Sequence, residues 1–591
     1  MKRILILILI VNTTSLFAMS KRVSNNTEIV DDWEYNATST INDSSRRLMS
    51  MSVSPIAKNM MSAKKSIGLS VGGAKDTNNF KANIDNGYLP KLDAITYEGQ
   101  FYNHYFDTGI GEGECKELFC PSYALAKRKN IFTDDEEYFL SVGLNSGIKE
   151  GDFKRKKLNL VVVLDISGSM GSAFDAYHYD KAGTKVMHDD KEHKTKMKIA
   201  TESIVAMLSH LNDDDRVGIT LFDHNAYVAK PLNLVGKTDK KAIREHILAL
   251  KQRGGTNWSA GYKEGVKLFD EVKLNGEYEN RIIFLTDAMP NRGELSKNKL
   301  FGMAKEASAK GINTTFIGIG VDFNNDLIEY VSKTKGANYF SVHSSEAFSK
   351  LLDKEFDYMV TPLVYDLVLK LKSEDYSIVG VYGSPEAKLA TGEIMSINTL
   401  FPSDNDGTAT KGGVVLLKLQ KKSTASSDTA KLSLEVNYTD VKGKSYSNAQ
   451  KVSFKKESAY YDNSGIEKAI LVSDYVSVMK NWLIDSRASC NDKVSWANQQ
   501  AIEIQKRCML YPPLHPDYPQ IATWERKSCK LKVSAGYKQF LQLFRKIYFQ
   551  EMQKLGDESL SKEMTILNTL INQKRASHDD GGAKDDWQYR K

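Results

Sequence analysis

Residues Leu158–Met170 read LNLVVVLDISGSM, and the fold follows from how this stretch changes character half-way. Six of the seven residues from Leu158 to Leu164 are apolar, which is the pattern of a strand covered on both faces. The run stops at Asp165-Ile166-Ser167-Gly168-Ser169. A carboxylate and two hydroxyls at alternate positions can point the same way out of a tight turn, with Gly168 relieving backbone crowding. Hard oxygen donors of this kind suit Mg²⁺, Mn²⁺ or Ca²⁺, and not zinc or copper.

Downstream of that turn, helical and strand patterns alternate. Lys196–Leu211 places Ile199, Ile204, Val205, Leu208 and Leu211 at helical spacing, and Arg216–Phe222 is a strand closed by Asp223. Asp239–Leu250 reads as a helix, followed by a Gly-Gly-Thr-Asn turn at Gly254–Asn257 and a further helix to about Val272. Arg281–Thr286 is a second doubly buried strand, ending in Asp287. Ser296–Lys310 and Asp326–Lys335 are predicted helices; Ile312–Gly318 and Asn338–Val342 are predicted strands. Such alternation predicts a doubly wound, Rossmann-like and mainly parallel sheet. Ligands of these sheets sit outside the carboxyl ends of the strands, where strand order reverses. Asp165, Ser167, Ser169, Thr256 and Asp287 are therefore expected to meet there.

The combination DISGSM, GGTN and FLTDAMPN resembles the von Willebrand factor type A domain with a complete metal-ion-dependent adhesion site. The resemblance covers about residues 158–360. It implies that Ser167, Ser169 and Thr256 bind a divalent cation through hydroxyls, with Asp165 and Asp287 acting directly or through water. It also implies an open coordination position, filled by an Asp or Glu carboxylate of a protein partner. Mg²⁺ is the expected ion, with Mn²⁺ or Ca²⁺ as alternatives. Two carboxylates and neutral hydroxyls leave the ion electrophilic enough for that incoming carboxylate. The wording DISGSM with GGTN further resembles the inter-alpha-trypsin-inhibitor and bacterial secreted branch, in which flanking β domains are usual.

Metal-bound water in the open position would also serve a hydrolase, but no dedicated base stands beside the motif and no HExxH occurs anywhere. No enzymatic activity is expected. A departure from the family is the insertion Gly171–Thr195, with Asp175, His178, Asp180, His188, Asp189, Asp190 and His193. Its residue types suit a metal but its spacing matches no motif, so a polar rim loop that shapes partner specificity is the expectation. Asp223 and His224 are expected near the same rim.

The remaining sequence sets this unit in a larger frame. A chain of 591 residues exceeds one ordinary domain. Lys2 and Arg3, the apolar run Ile4–Val11 and Ser15-Leu16-Phe17-Ala18 have the layout of a secretory signal peptide over residues 1–18, which predicts a secreted, periplasmic or cell-surface protein. Without Lys2 and Arg3 the net charge falls from +7 to +5, and no basic patch interleaved with aromatics marks a nucleic-acid partner. Residues 19–88, rich in Ser, Asn, Thr, Met and Lys, read as a mobile leader, with order beginning near Leu89. Residues 89–157 are β-rich, with Ile95–Tyr105 and Glu137–Leu144 as strand candidates. Residues 361–460 alternate as an antiparallel β-sandwich, into which the α/β unit is inserted or which follows it. Residues 461–575 are helical, with Ile466, Ile470, Leu471, Tyr475, Val478 and Trp482 on one face, and Phe540, Leu543, Phe544, Ile547 and Leu555 on another. Residues 576–591 are an expected frayed tail. Cys115 and Cys120 are close enough to close a loop; Cys490, Cys508 and Cys529 make the total odd. Two further roles fit the sequence: a hydrolase or peptidase that recruits substrate through this domain, and an extramembranous accessory subunit of a channel or transporter.

Overall fold

The strand Lys157–Asp165 lies at the centre of a seven-stranded sheet. The computed structural model describes residues 29–36 and 65–573, except 76, 86, 110–114, 173–176, 180–184, 188–193, 275, 288–292, 295, 320–333, 343–347, 349, 353–354, 385–393, 423–430 and 489–530. Leu158, Leu160, Val162 and Leu164 face a layer containing the helices Lys196–Leu208 and Lys240–Leu248. Val161 and Val163 face the opposite layer, built on Trp258 and Tyr262 of the helix Trp258–Lys267 and on Leu300 and Ala304 of the helix Lys297–Ala309. A strand covered twice has no polar face to keep, which is why Leu160–Leu164 runs apolar without alternation.

Across the sheet the order is Ala226–Leu234, Arg216–Phe222, Lys157–Asp165, Tyr278–Thr286, Ile312–Ile319, Asn338–Val342 and Gly73–Ala74. All pairs are parallel except the first. Ala226–Leu234 is an edge strand absent from the sequence reading. Its register breaks around Pro231, which cannot donate to a ladder and is tolerated at an edge. The predicted helix Asp326–Lys335 lies largely outside the described residues, as do the signal segment, the tail, Cys490, Cys508 and Cys529.

A ten-stranded antiparallel sheet takes strands from both sides of the α/β unit. Ser66–Val71, Cys120–Lys129 and Glu136–Lys149 precede that unit, and seven strands between Val364 and Tyr461 follow it. The α/β unit is thus an insertion in a β domain. Phe454, beyond the last long strand, meets Tyr376 and Tyr138 at ring separations of 5.1 and 5.2 Å. The sheet therefore folds over on itself around a shared core of Leu140, Val142, Leu369, Leu417 and Leu434.

The expected mobile leader is corrected in its later part. Ser66–Val71 pairs with both Glu136–Lys149 and Ile394–Ser403, and buries Ile67, Leu69 and Val71. Residues 29–36 lie along the α/β unit: the Val30 amide donates to the Lys237 carbonyl at 2.9 Å, and Trp33 stacks on His246 with centroids 5.2 Å apart. Asp32 is 2.8 Å from the wholly buried Lys230 ammonium. Burial lowers the Lys230 pKa, and Asp32 opposes that shift. Asp32→Ala should therefore reduce stability by about 2 kcal/mol by leaving that ammonium under-satisfied. Thermal melts should show the loss, and Lys230→Met in the same background should recover part of it. Equal melting of Asp32→Ala and wild type would refute this.

Ile95–Tyr105 is also corrected. Tyr97–Tyr102 is a helix, capped by Thr96, whose hydroxyl accepts from the Gly99 amide at 3.0 Å. Its aromatic content suits a strand in isolation, but the cap and the burial of Phe101 decide for a helix. The helices Ser464–Ala488, Ala535–Leu555 and Ser561–Asn572 pack together against the outer face of the second sheet. Leu543 is not on the packed face of its helix: it is 55% exposed, while Phe540, Phe544 and Tyr548 point inward. No helix among the described residues is long and apolar enough to cross a membrane. Cys115 and Cys120 form a disulfide.

Candidate metal centre

From Lys157–Asp165 the chain moves to Arg216–Phe222 on one side, then returns to Tyr278–Thr286 on the other. Strand order reverses between the first and the last of these, and the crevice opens at their carboxyl ends. Asp165 ends one of the two adjacent strands and Asp287 follows the other. Both are buried.

Local hydrogen bonds shape the first loop. The Ser167 amide donates to Asp165 Oδ1 at 2.8 Å, which turns the chain sharply after the strand. Ser167 Oγ lies 3.0 Å from Ser169 Oγ, and Ser169 Oγ donates to Asp287 Oδ1 at 2.8 Å. Thr286 Oγ1 donates to Asp165 Oδ2 at 2.5 Å. The structure thus brings Asp165, Ser167, Ser169 and Asp287 into one connected cluster. Asp165, Ser167 and Asp287 are buried, whereas Gly168 and Ser169 are exposed, so the cluster meets solvent on its serine side.

The Gly-Gly-Thr-Asn loop is bound to this turn through its backbone. Gly254 carries a left-handed φ of +72°, and its carbonyl accepts from the Gly168 amide at 3.0 Å. A Cβ on Gly254 would lie 2.5 Å from His224 Nδ1. Asn257 caps the next helix by accepting from the Ala260 amide at 3.2 Å. Thr256, buried between them, is held in the loop that touches the serine turn. Asp223 and His224 brace that loop. The Asp223 carbonyl accepts from the Asn257 amide at 2.8 Å, and His224 Nδ1 accepts from the Gly255 amide at 3.1 Å. Arg253 Nε donates to the Asp223 carboxylate at 2.8 Å.

These spacings fit a hard cation. An octahedral Mg²⁺ at about 2.1 Å from each ligand places neighbouring oxygens about 3 Å apart. The Ser167–Ser169 and Ser169–Asp287 oxygen pairs, at 3.0 and 2.8 Å, match such edges. The donors are all oxygen, with no sulfur or imidazole among them. Burial, and next the charge on Asp287, push the Asp165 pKa up to about 7, while bonds from Thr286 and Ser167 act in the opposite sense.

Lys196 is the site residue that sequence reasoning missed. Its ammonium is 2.9 Å from Asp287 Oδ2, with the lysine side chain 8% exposed. It begins the helix that follows the insertion, and its amide donates to the Ser172 carbonyl at 3.1 Å. The long polar insertion therefore leaves and rejoins the domain beside the cluster. The inserted residues separate Lys196 from the serine motif in sequence, so no local spacing marks it. Within the insertion, Tyr177–Tyr179 pairs antiparallel with Lys185–Met187. His178 lies in the first of these strands; Asp175, Asp180, His188, Asp189, Asp190 and His193 lie outside the described residues.

Residues 159–354 match the family model of the von Willebrand factor type A domain. Inter-alpha-trypsin inhibitor heavy chain H2 of Mus musculus is 24% identical over 211 residues, covering 35% of this chain and 20% of its own length. Heavy chain H1 of Mesocricetus auratus is 22% identical over 220 residues, covering 36% of this chain and 21% of its own. The chain thus spans about a fifth of the length of these curated relatives. Among solved structures, a von Willebrand factor type A protein from Catenulispora acidiphila is similar at a TM-score of 0.39 and 12% identity, covering 74% of this chain and 98% of that one. A mussel byssus proximal thread matrix protein 1 with a zinc-occupied MIDAS motif is similar at a TM-score of 0.26 and 18% identity, covering 36% and 49%. The α/β unit that carries Asp165, Ser167, Ser169, Thr256 and Asp287 is a von Willebrand factor type A domain, inserted in a folded-over antiparallel sheet with helices packed behind it.

Proposed function

We propose that this protein binds a divalent cation, Mg²⁺ first and Mn²⁺ or Ca²⁺ as alternatives, through Asp165, Ser167, Ser169, Thr256 and Asp287. Held there, the ion would supply a bridge to an Asp or Glu carboxylate of a protein partner in adhesion or envelope assembly. The supporting observation is the Ser167–Ser169–Asp287 set of oxygens at 3.0 and 2.8 Å, closed by buried carboxylates below and open to solvent at Ser169. The ion supplies Lewis acidity toward the incoming carboxylate. The protein's own groups position it: Thr286 orients Asp165, the Gly254 carbonyl holds the serine turn, and Asn257 fixes the Thr256 loop.

We place the protein outside the cytoplasm, supported by the signal-like N-terminus and the Cys115–Cys120 disulfide. The similarity to inter-alpha-trypsin inhibitor heavy chains supports a protein-binding role over a catalytic one. A hydrolase reading would need an accessible base. The Ser559–His104–Glu563 chain of hydrogen bonds has the residue types, but the His104 and Glu563 side chains are wholly enclosed. That chain ties the Tyr97–Tyr102 helix to the C-terminal helices.

Titration of the full chain with Mg²⁺, Mn²⁺ and Ca²⁺ should raise its melting temperature, since an ion at a hundred times Kd adds about 2.7 kcal/mol. Ser169→Ala with Thr256→Ala should abolish both that rise and metal-dependent capture of envelope proteins. Ser169→Ala is a cleaner probe than Asp287→Ala, which would strand the Lys196 ammonium. Capture that persists in excess EDTA would overturn the metal bridge.

A further inference from the structure

We propose that Lys196 is an internal counter-cation that competes with the divalent ion for Asp287 and holds the site at low intrinsic metal affinity until an acidic ligand arrives. The inference rests on the metal-site reading above and assigns its regulation. Three observations carry it. The Lys196 ammonium sits 2.9 Å from Asp287 Oδ2, while the other oxygen of that carboxylate accepts from Ser169 Oγ at 2.8 Å. The lysine side chain is only 8% exposed, so the pair is formed away from bulk water and its charge is poorly screened. The start of its helix is fixed beside the cluster. Its amide is bonded to the Ser172 carbonyl, Thr195 caps the helix through the Lys198 amide, and the neighbouring Met197 and Ile199 are buried.

Lysine in this place changes the charge arithmetic of the cluster. Asp165 and Asp287 alone offer a cation a net −2, whereas with Lys196 they offer −1. The N-terminus of the Lys196–Leu208 helix adds positive potential of the same sign. An incoming carboxylate restores the missing negative charge, so ion and ligand each strengthen the other's binding by the same factor. A site with a neutral residue here would load metal tightly on its own and gain less from the ligand.

The test uses the full chain at one fixed pH, with Mn²⁺ titrated calorimetrically in the absence and presence of acetate as the carboxylate probe. Lys196→Gln and Lys196→Met should each bind Mn²⁺ at least about tenfold more tightly than wild type, and should lose most of the enhancement by acetate. Lys196→Arg, which keeps the charge, should stay near wild type. Metal-free Lys196→Met should melt below wild type, with the gap closing on addition of Mn²⁺, which separates a competing charge from a merely structural lysine. Wild-type binding with Lys196→Gln and Lys196→Met within twofold of it, or weaker, would overturn the inference and leave the metal site standing. Absence of Mn²⁺ binding by wild type and variants alike would overturn both.

Discussion

Arg128→Ala is expected to reduce the unfolding free energy of the β domain and its helices by about 5 kcal/mol, and Asp474→Ala by about 3 kcal/mol. Arg128 donates from its two Nη atoms to the two oxygens of Asp474 at 2.7 and 2.9 Å, and from Nε to Glu137 at 2.9 Å. The three side chains are 9%, 11% and 5% exposed. They join the Cys120–Lys129 and Glu136–Lys149 strands to the Ser464–Ala488 helix at the seam between sheet and helical layer. Removing Arg128 leaves the two carboxylates in a buried interface, with Lys418, 2.5 Å from Glu137, and the Asn130 amide, 2.8 Å from it, as partial compensation. Removing Asp474 leaves the guanidinium with Glu137, so less is lost. Burial, the largest influence, holds the Asp474 carboxyl above its ordinary pKa in spite of Arg128. The triad thus contributes more to the uniqueness of this seam than to its net stability. Arg128→Met with Asp474→Leu should accordingly lose less than either single variant. Denaturant unfolding followed at Trp482, which is wholly buried among these helices, reads the effect. A double variant as unstable as the sum of the singles would show that the pair is not coupled.

How far such features can be read in advance depends on the range of the physics behind them. The central strand was legible because burial on both faces imposes an apolar run without alternation, and Leu160–Leu164 shows it directly. Asp165, Ser167, Ser169 and Asp287 were legible because turns after buried strands converge at a switch point, and the structure does assemble them. Ser66–Val71 was not. Its partners are Lys149 and Asn145 on one side and Leu400–Ser403 on the other, and no local pattern in a short segment after a polar leader encodes pairing at that distance. The helix Tyr97–Tyr102 shows tertiary burial and one cap overriding aromatic content. Lys196 was hidden for a third reason: the insertion separates it in sequence from a turn to which it returns in space. Buried ion pairs such as Arg128 with Asp474 are similarly silent, since each charge read alone belongs on the surface.

The metal-free von Willebrand factor type A domain is expected to lose stability as pH rises from about 4 to about 7, and added Mg²⁺ is expected to cancel that loss. Burial, and next the Asp287 charge, raise Asp165 from an ordinary 3.8 to about 7 in the folded chain. Between those values the folded state holds a proton that the unfolded state has released, so unfolding becomes easier as pH rises. Below the lower value both states are protonated and the effect vanishes; above the upper one it reaches a constant penalty. At 1.36 kcal/mol per unit, that penalty is roughly 4 kcal/mol for this wholly buried group. The site so described carries a proton on Asp165 and the Lys196 ammonium on Asp287, two positive charges against two carboxylates. A divalent ion would take the place of the proton on Asp165, and it gains affinity as the proton becomes easier to remove. The melting-temperature rise produced by Mg²⁺ should therefore be larger at pH 8 than at pH 5. Other titrating groups add their own slopes, so the quantity to measure is the difference between wild type and Asp165→Asn in EDTA across this range. Asn at this position cannot titrate, and its curve should be flatter by up to roughly 4 kcal/mol. Parallel curves for the two proteins would mean that Asp165 is already ionised in the metal-free fold, and that the cluster tolerates two buried carboxylates beside the Lys196 ammonium.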